Sequence, residues 1–248
     1  MDQLVRTART TGLLYLGLAV TGGLTYILIR NQIFVPDDPA ATLRHLVADE
    51  SLARLGIAME LGVVVTQALV ALWFYRLFRS VDTLAAGALA AFGMVNAVAI
   101  LTSAAFLATA LNVALDGNLA SAADRSVTAQ TLYLGSGQLW SVGALFFGLW
   151  LIPMGWLVVR SGWMPRPLGW ILMAGGLGYV LSGFVTQLAP GSGAVSDVLT
   201  IPASVGELWM VGYLLVFGVR RSATADEASD ATLGMSLAAT SSKTPSSH

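Results

Sequence analysis

The sequence predicts an all-α membrane protein, a bundle of six transmembrane helices, on three observations. Hydrophobic residues make up 56% of the 248-residue chain, charged residues 11%, and mean hydropathy is +0.73, a balance outside the soluble globular range. Long apolar runs fall at roughly 10–29, 55–75, 84–111, 130–159, 168–189 and 198–219, each long enough to cross a bilayer. The stretch "GALFFGLWLIPMGWLVV" is continuously apolar, without the short alternating strands of a membrane β-barrel.

The first run, Thr10 to Ile29, follows the basic start "MDQLVRTAR". It is too long for the apolar core of a signal peptide, and no small-residue cleavage site with a polar start follows, so it is expected as a retained span. The first outer loop, "NQIFVPDDPAATLRHLVADESLAR", contains a short amphipathic helix. Asp38 is its cap and Pro39 its first residue, with Leu43, Leu46 and Val47 on one face and Arg44, His45 and Asp49 elsewhere. It is expected either to lie on the outer interface or to lid the bundle, with a solvated amphipathic connector as the favoured reading.

The third run carries Ala86 and Ala90, Gly87 and Ala91, and Ala104 and Ala108 at four-residue spacing, a pattern that lets helices approach closely and predicts a central position. The third and fourth runs exceed the minimum span, so those helices tilt or protrude, and Pro153 kinks the fourth. In the turn "RSGWMPRPLGW", Pro165 and Pro167 stop the helix, and Trp163 and Trp170 are suited to the headgroup region. The "MAGGLG" of the fifth run is a second close-packing segment. The domain is expected over 1–221, and 222–248, rich in Ser, Thr, Ala and acids, reads as a disordered tail.

Basic residues set the orientation. Arg6, Arg9, Arg76, Arg79, Arg160, Arg166, Arg220, Arg221 and Lys243 fall on one side, and Arg30, Arg44, Arg54 and Arg125 on the other: nine against four. The positive-inside rule places both termini in the cytoplasm.

Several function classes are disfavoured. A net charge of −1 and the lack of a basic face interleaved with aromatics argue against nucleic acid. With no cysteine there is no disulfide, thiolate metal site or cysteine nucleophile. The only histidines are His45 and His248, no serine sits in G-x-S-x-G, and no H-E-x-x-H, Walker or dinucleotide pattern occurs. The chain is therefore not expected to be an enzyme, and no cofactor or metal is assigned. Asp37, Asp38, His45, Asp49 and Glu50 read as a solvated acidic loop.

Polar residues inside the apolar runs are the site candidates: Glu60 and Gln67 on the second, Asn96 on the third, Gln138 on the fourth and Glu207 on the sixth. Helical spacing puts Glu60 and Gln67 on one face, and pairs Gln138 with Ser141, Asn96 with Ser103 and Ser204 with Glu207. Glu60 is expected near outer water. Glu207, in "PASVGELWM", has no basic residue in its own run. It is expected neutral, either as a proton-exchanging site or as helix glue bonded to Gln67, Gln138 or a backbone carbonyl.

"RTARTTGLLYL", "PDDPAATLRHLVADESLARLG", "FFGLWLIPMGWLVVRSGWMPRPLGWILMAGGLGYV" and "PASVGELW" resemble segments of a bacterial multi-pass membrane family, the domain of unknown function 4386. The resemblance runs over nearly the whole chain up to Val219. It implies a six-helix protein of the bacterial inner membrane and no particular activity. Glu207 matches a family segment in register, whereas Glu60 stands where the family more often has aspartate. The expected function is a non-enzymatic sensing, regulatory or partner-binding module, associated with the lipid bilayer and with a membrane-protein partner or a second copy of itself. The alternative is a small-molecule or proton-coupled transporter using Glu207 and Glu60.

Overall fold

The computed structural model describes residues 2–189 and 191–220, which are helical with no strand among them. Helix α1 (Asp2–Gly23) runs into a π-helical stretch (Leu24–Ile29) and the short α2 (Arg30–Ile33). There follow α3 (Pro39–Ala48), α4 (Glu50–Phe78), α5 (Thr83–Leu115), α6 (Ala122–Ser161), α7 (Arg166–Leu188) and α8 (Gly193–Val216). The tail expected from residue 222 lies outside the described residues.

By length and composition, five helices, α4 to α8, are apolar enough to cross a membrane. The first expected span does not form one regular helix. Asp2, Arg6 and Arg9 occupy the start of α1, and its α-helical bonding ends at Gly23, where the wider i→i+5 pattern takes over.

The long helices pack in chain order, with α1 against α4, then α4, α5, α6, α7 and α8 each against the next, and α8 returns to α1. The result is a closed ring rather than a helix surrounded by others. The central position expected for α5 is thus not found: α5 occupies one place in the ring, between α4 and α6. Of its small residues, Ala86 and Ala104 are buried, Ala91 is exposed, and a side chain at Gly87 would meet nothing within 4 Å. Small residues alone did not fix the rotation of α5, because some of them, such as Ala91 and Ala105, are exposed.

The closest approaches lie around α7. A Cβ on Gly148 would stand 2.7 Å from the Gly176 carbonyl. One on Gly155 would overlap the Gly169 carbonyl, one on Gly175 the Ala203 backbone, and one on Gly178 the Leu199 carbonyl. Backbone therefore rests on backbone along α6, α7 and α8, as the "MAGGLG" segment predicted.

The helix ends use local chemistry. Asp82 Oδ1 accepts from the Ala85 amide at 3.1 Å and its Oδ2 from Arg160 Nη1 at 2.7 Å, which joins the start of α5 to the end of α6. Gly162, at φ 66°, closes α6 in the left-handed conformation. Trp163 stacks on Phe78, so of the two tryptophans assigned to the headgroups only Trp170 is exposed, at 63%.

Helices α5 and α6, of 33 and 40 residues, are longer than a bilayer core requires, and their extra turns are used. At about 1.5 Å per residue, the 40 residues of α6 reach far beyond a hydrocarbon core of about 30 Å. Helix α3 packs on the projecting ends, where Leu46, Leu107, Ala110, Leu111, Ala129 and Tyr133 form a second apolar cluster. Asp38 caps α3 by accepting from the Ala41 amide at 2.8 Å. The buried face is Ala41, Thr42 and Leu46, while Val47 is half exposed. Of the two expected placements, the helix takes the lid, capping α5 and α6 rather than serving as the favoured solvated connector, and it is turned by about one residue from the predicted face, because Thr42 exchanges hydrogen bonds with the Val35 backbone. The acidic loop disperses: His45 Nδ1 lies 3.3 Å from the Ile33 carbonyl and Glu50 pairs with Arg54 at 2.6 Å.

Two predictions follow from this packing. Gly155→Ala lowers stability in detergent by about 2 kcal/mol or more through backbone overlap, whereas Gly87→Ala is neutral or slightly stabilising; thermal melts of the two variants check this. The Ala85 amide first, and then the Arg160 guanidinium, hold the Asp82 carboxyl below its ordinary value. Its stabilisation is complete above the unfolded pKa, about 3.9, and is lost as pH falls through the lower folded value. The melting temperatures of wild type and Asp82→Ala should therefore differ at pH 7 and converge at the acid end of a titration.

Candidate ligand cavity

The ring surrounds a cavity of about 530 Å³, within the size range of small-molecule sites. Every long helix contributes to its wall: Tyr15 from α1, Gln67 from α4, Asn96 from α5, Phe147 from α6, Tyr179 from α7 and Glu207 from α8. Most of the remaining lining is apolar, including Leu18, Val63, Ile100 and Val211.

Sequence periodicity placed Gln67 and Asn96 inward, and both are buried on the cavity wall. Gln67 is fully buried, and neither its amide oxygen nor its nitrogen has a hydrogen-bond partner. Room for it comes from Gly93, where a Cβ would stand 3.2 Å from Gln67 Nε2.

Glu207 is half-buried at the cavity. Its partner is neither a glutamine nor a carbonyl, as expected, but Tyr15, whose hydroxyl donates to Oε1. Tyr15 is held by edge-on contacts with Phe74 and Trp150, at centroid distances of 5.5 and 5.6 Å. The bond ties the first helix to the last. A tyrosine in an apolar run reads from sequence as core, and the available signal was its hydroxyl, which needs a partner when buried.

Glu60 does not reach outer water. It is fully buried and ion-paired with Arg30 at 3.1 Å. Trp140 Nε1 donates to the same carboxylate oxygen at 3.0 Å. Arg30 also donates to Ser136 Oγ at 2.8 Å, and Ser136 Oγ lies 2.7 Å from Ser103 Oγ. The guanidinium stands over the Tyr133 ring, 5.3 Å from its centroid. Arg30 counts from sequence among the basic residues of the outer side, but the π-helical stretch ahead of it rotates the chain. Ile29 then packs on Gly56, where a Cβ would come within 2.9 Å of Ile29 Cγ2, and Arg30 turns inward.

Gln138 is exposed and lies outside the main cavity. It lines a separate cavity of about 230 Å³ with Arg30, Asn31, Phe34 and Tyr133. Its predicted partner Ser141 is also exposed. The inward row of α6 is instead Tyr133, Ser136, Trp140, Gly143, Phe147 and Trp150, at three- and four-residue spacing, with Gln138 and Ser141 off that row.

A family model described as a domain of unknown function (DUF4386) matches residues 10–218. The chain belongs to that family. The matched region contains the whole polar set above, from Tyr15 to Glu207. No curated protein and no solved structure matches the chain.

Breaking the buried pair leaves one charge without a partner. Arg30→Met is expected to cost about 3–5 kcal/mol, and the double variant Arg30→Met/Glu60→Met to recover most of that loss, as measured by thermal unfolding in one detergent.

Proposed function

We propose that the protein is a non-enzymatic membrane module that binds a small ligand inside its helical ring and reports occupancy to a partner. One observation carries this reading: a drug-sized cavity enclosed by all the long helices has on its wall a fully buried amide, Gln67, with no protein partner. Burying an unsatisfied amide costs about 1–3 kcal/mol, and a ligand that pairs with it recovers that cost.

In this reading α1 and its π-helical continuation form a sixth span beside α4 to α8. The charge-free run from Thr10 to Ile29 supports that assignment. Both termini lie in the cytoplasm, in keeping with the distribution of arginine, and the membrane is the bacterial inner membrane, in keeping with the family resemblance. A second membrane protein or a second copy of the chain receives the signal.

The test is a thermal-shift screen of small molecules on wild type and Gln67→Leu in detergent. Without ligand, Gln67→Leu melts at or above wild type, because an unpaired polar group is replaced by an apolar one of similar shape. A ligand at a hundredfold its Kd raises wild-type stability by about 2.7 kcal/mol and the variant by much less. Marked destabilisation of unliganded Gln67→Leu, with no stabilising compound found, would make Gln67 structural glue and remove the reading. Ligand flux in proteoliposomes that Glu207→Gln abolishes would replace it with transport.

A further inference from the structure

Helices α1 and α8 meet over only part of their length. On one side of the Tyr15–Glu207 bond they are in close contact: a Cβ on Gly12 would stand 2.9 Å from Leu214 Cβ, and one on Gly218 3.2 Å from Val5 Cγ1. On the other side each helix turns to a different neighbour. From Gly17 onward α1 leans on α4, with Gly17 against Thr66 and Thr21 against Gly62. Helix α8 leans on α7, through Ala203 on Gly175 and Leu199 on Gly178.

The cavity lining records the resulting gap. It includes Ala19, Gly22 and Gly23 from α1 and Ser204 and Leu208 from α8. Ala19, Ser204 and Leu208 are exposed as well as lining the cavity, Leu208 at 70%, and a Cβ at Gly23 would meet nothing within 4 Å. Residues that face the cavity and the exterior at once mark an opening in the wall. Leu13, Leu16 and Val20 on α1 and Val205 on α8 are exposed beside it, so the opening lies on an apolar surface of the kind that faces lipid.

The chemistry inside narrows the occupant. The wall is mostly apolar, no Lys, Arg or His lines it, and the Glu207 carboxyl is engaged by Tyr15. Hydrogen-bonding capacity on the wall includes Asn96 and the Gln67 amide, and the latter, with neither of its polar atoms paired, both donates and accepts. Building on the ligand-binding reading, we infer that the cavity is entered from within the bilayer, between α1 and α8, by a single-chain amphiphile. Its small uncharged head, a hydroxyl or an amide, pairs with Gln67, and its chain lies along the apolar wall toward the α1–α8 opening.

The experiment uses the full chain in phosphatidylcholine nanodiscs with a monoacylglycerol bearing a photoactivatable diazirine in its acyl chain. Cross-linked residues are mapped by mass spectrometry. Wild-type labelling is expected to concentrate on cavity residues such as Leu18, Val63 and Val211. Gly23→Trp, whose Cβ would enter open space at the gap, reduces cavity labelling about tenfold or more, and Val98→Trp, on the exposed face of α5, leaves it unchanged. Gln67→Leu lowers probe affinity by about tenfold, the effect expected for loss of one hydrogen bond.

Labelling spread evenly over the outer surface would overturn the inference, as would cavity labelling that Gly23→Trp leaves intact. In the latter case a ligand still binds in the ring, and only the lateral route fails. If the cavity takes no label while a water-soluble compound stabilises wild type but not Gln67→Leu, the amphiphile is wrong and ligand binding stands. If neither occurs, both fall.

Discussion

The hydrogen bond from Tyr15 to Glu207 decides the form of this molecule. It joins the first long helix to the last, and so converts a row of neighbours packed in chain order into a ring. Hydrocarbon offers no competing partner for a carboxyl or a phenol, which makes such a pair a defined attachment point between elements 192 residues apart in sequence. The same logic operates elsewhere in the ring. Arg30, Glu60 and Trp140 tie the end of the π-helical stretch to α4 and α6, and Ser103 with Ser136 ties α5 to α6. Gln67 departs from the pattern, which is why it carries the functional reading.

The two sides of the ring differ in how they are packed. Helices α6, α7 and α8 approach through glycine, backbone against backbone, and such contacts tolerate little movement. Helix α1 rests on α4 through Thr21 and Thr66, loses regular helical bonding at Leu24, and parts from α8 beyond Glu207. π-Helical turns are often found at functional sites. Here the turn aims Arg30 at Glu60 and lies beside the cavity opening. The protein thus combines a stiff half with a half whose helix carries the irregularity and borders the cavity.

Much of the architecture was legible because local rules govern it. The Asp38–Pro39 start of α3, the Pro165 stop and the "MAGGLG" contact each depend on a few adjacent residues. The shared face of Glu60 and Gln67 follows from helical period alone. What sequence left open was helix rotation and long-range pairing. Gln138 was placed inward because it is polar, yet the inward row of α6 is set by Tyr133, Trp140 and Trp150, and Gln138 finds its polar surroundings beside Arg30 in a second cavity. Arg30 counted only as an outer-side charge because the register change at Leu24 has no marker in the residues around it. Tyr15 was not singled out, since its partner lies at the far end of the chain.

The absence of cysteine from the sequence makes the central claim directly testable by disulfide cross-linking in native membranes. The pair Gly12→Cys/Leu214→Cys joins positions whose Cβ atoms would stand 2.9 Å apart, so that a small outward shift of α1 brings them to the spacing of a disulfide, and the pair Gly23→Cys/Leu208→Cys flanks the opening. A ring closed at the Tyr15–Glu207 bond and open beyond it predicts rapid cross-linking of the first pair under mild oxidation and little of the second. Failure of the first pair, or equal cross-linking of both, would contradict it.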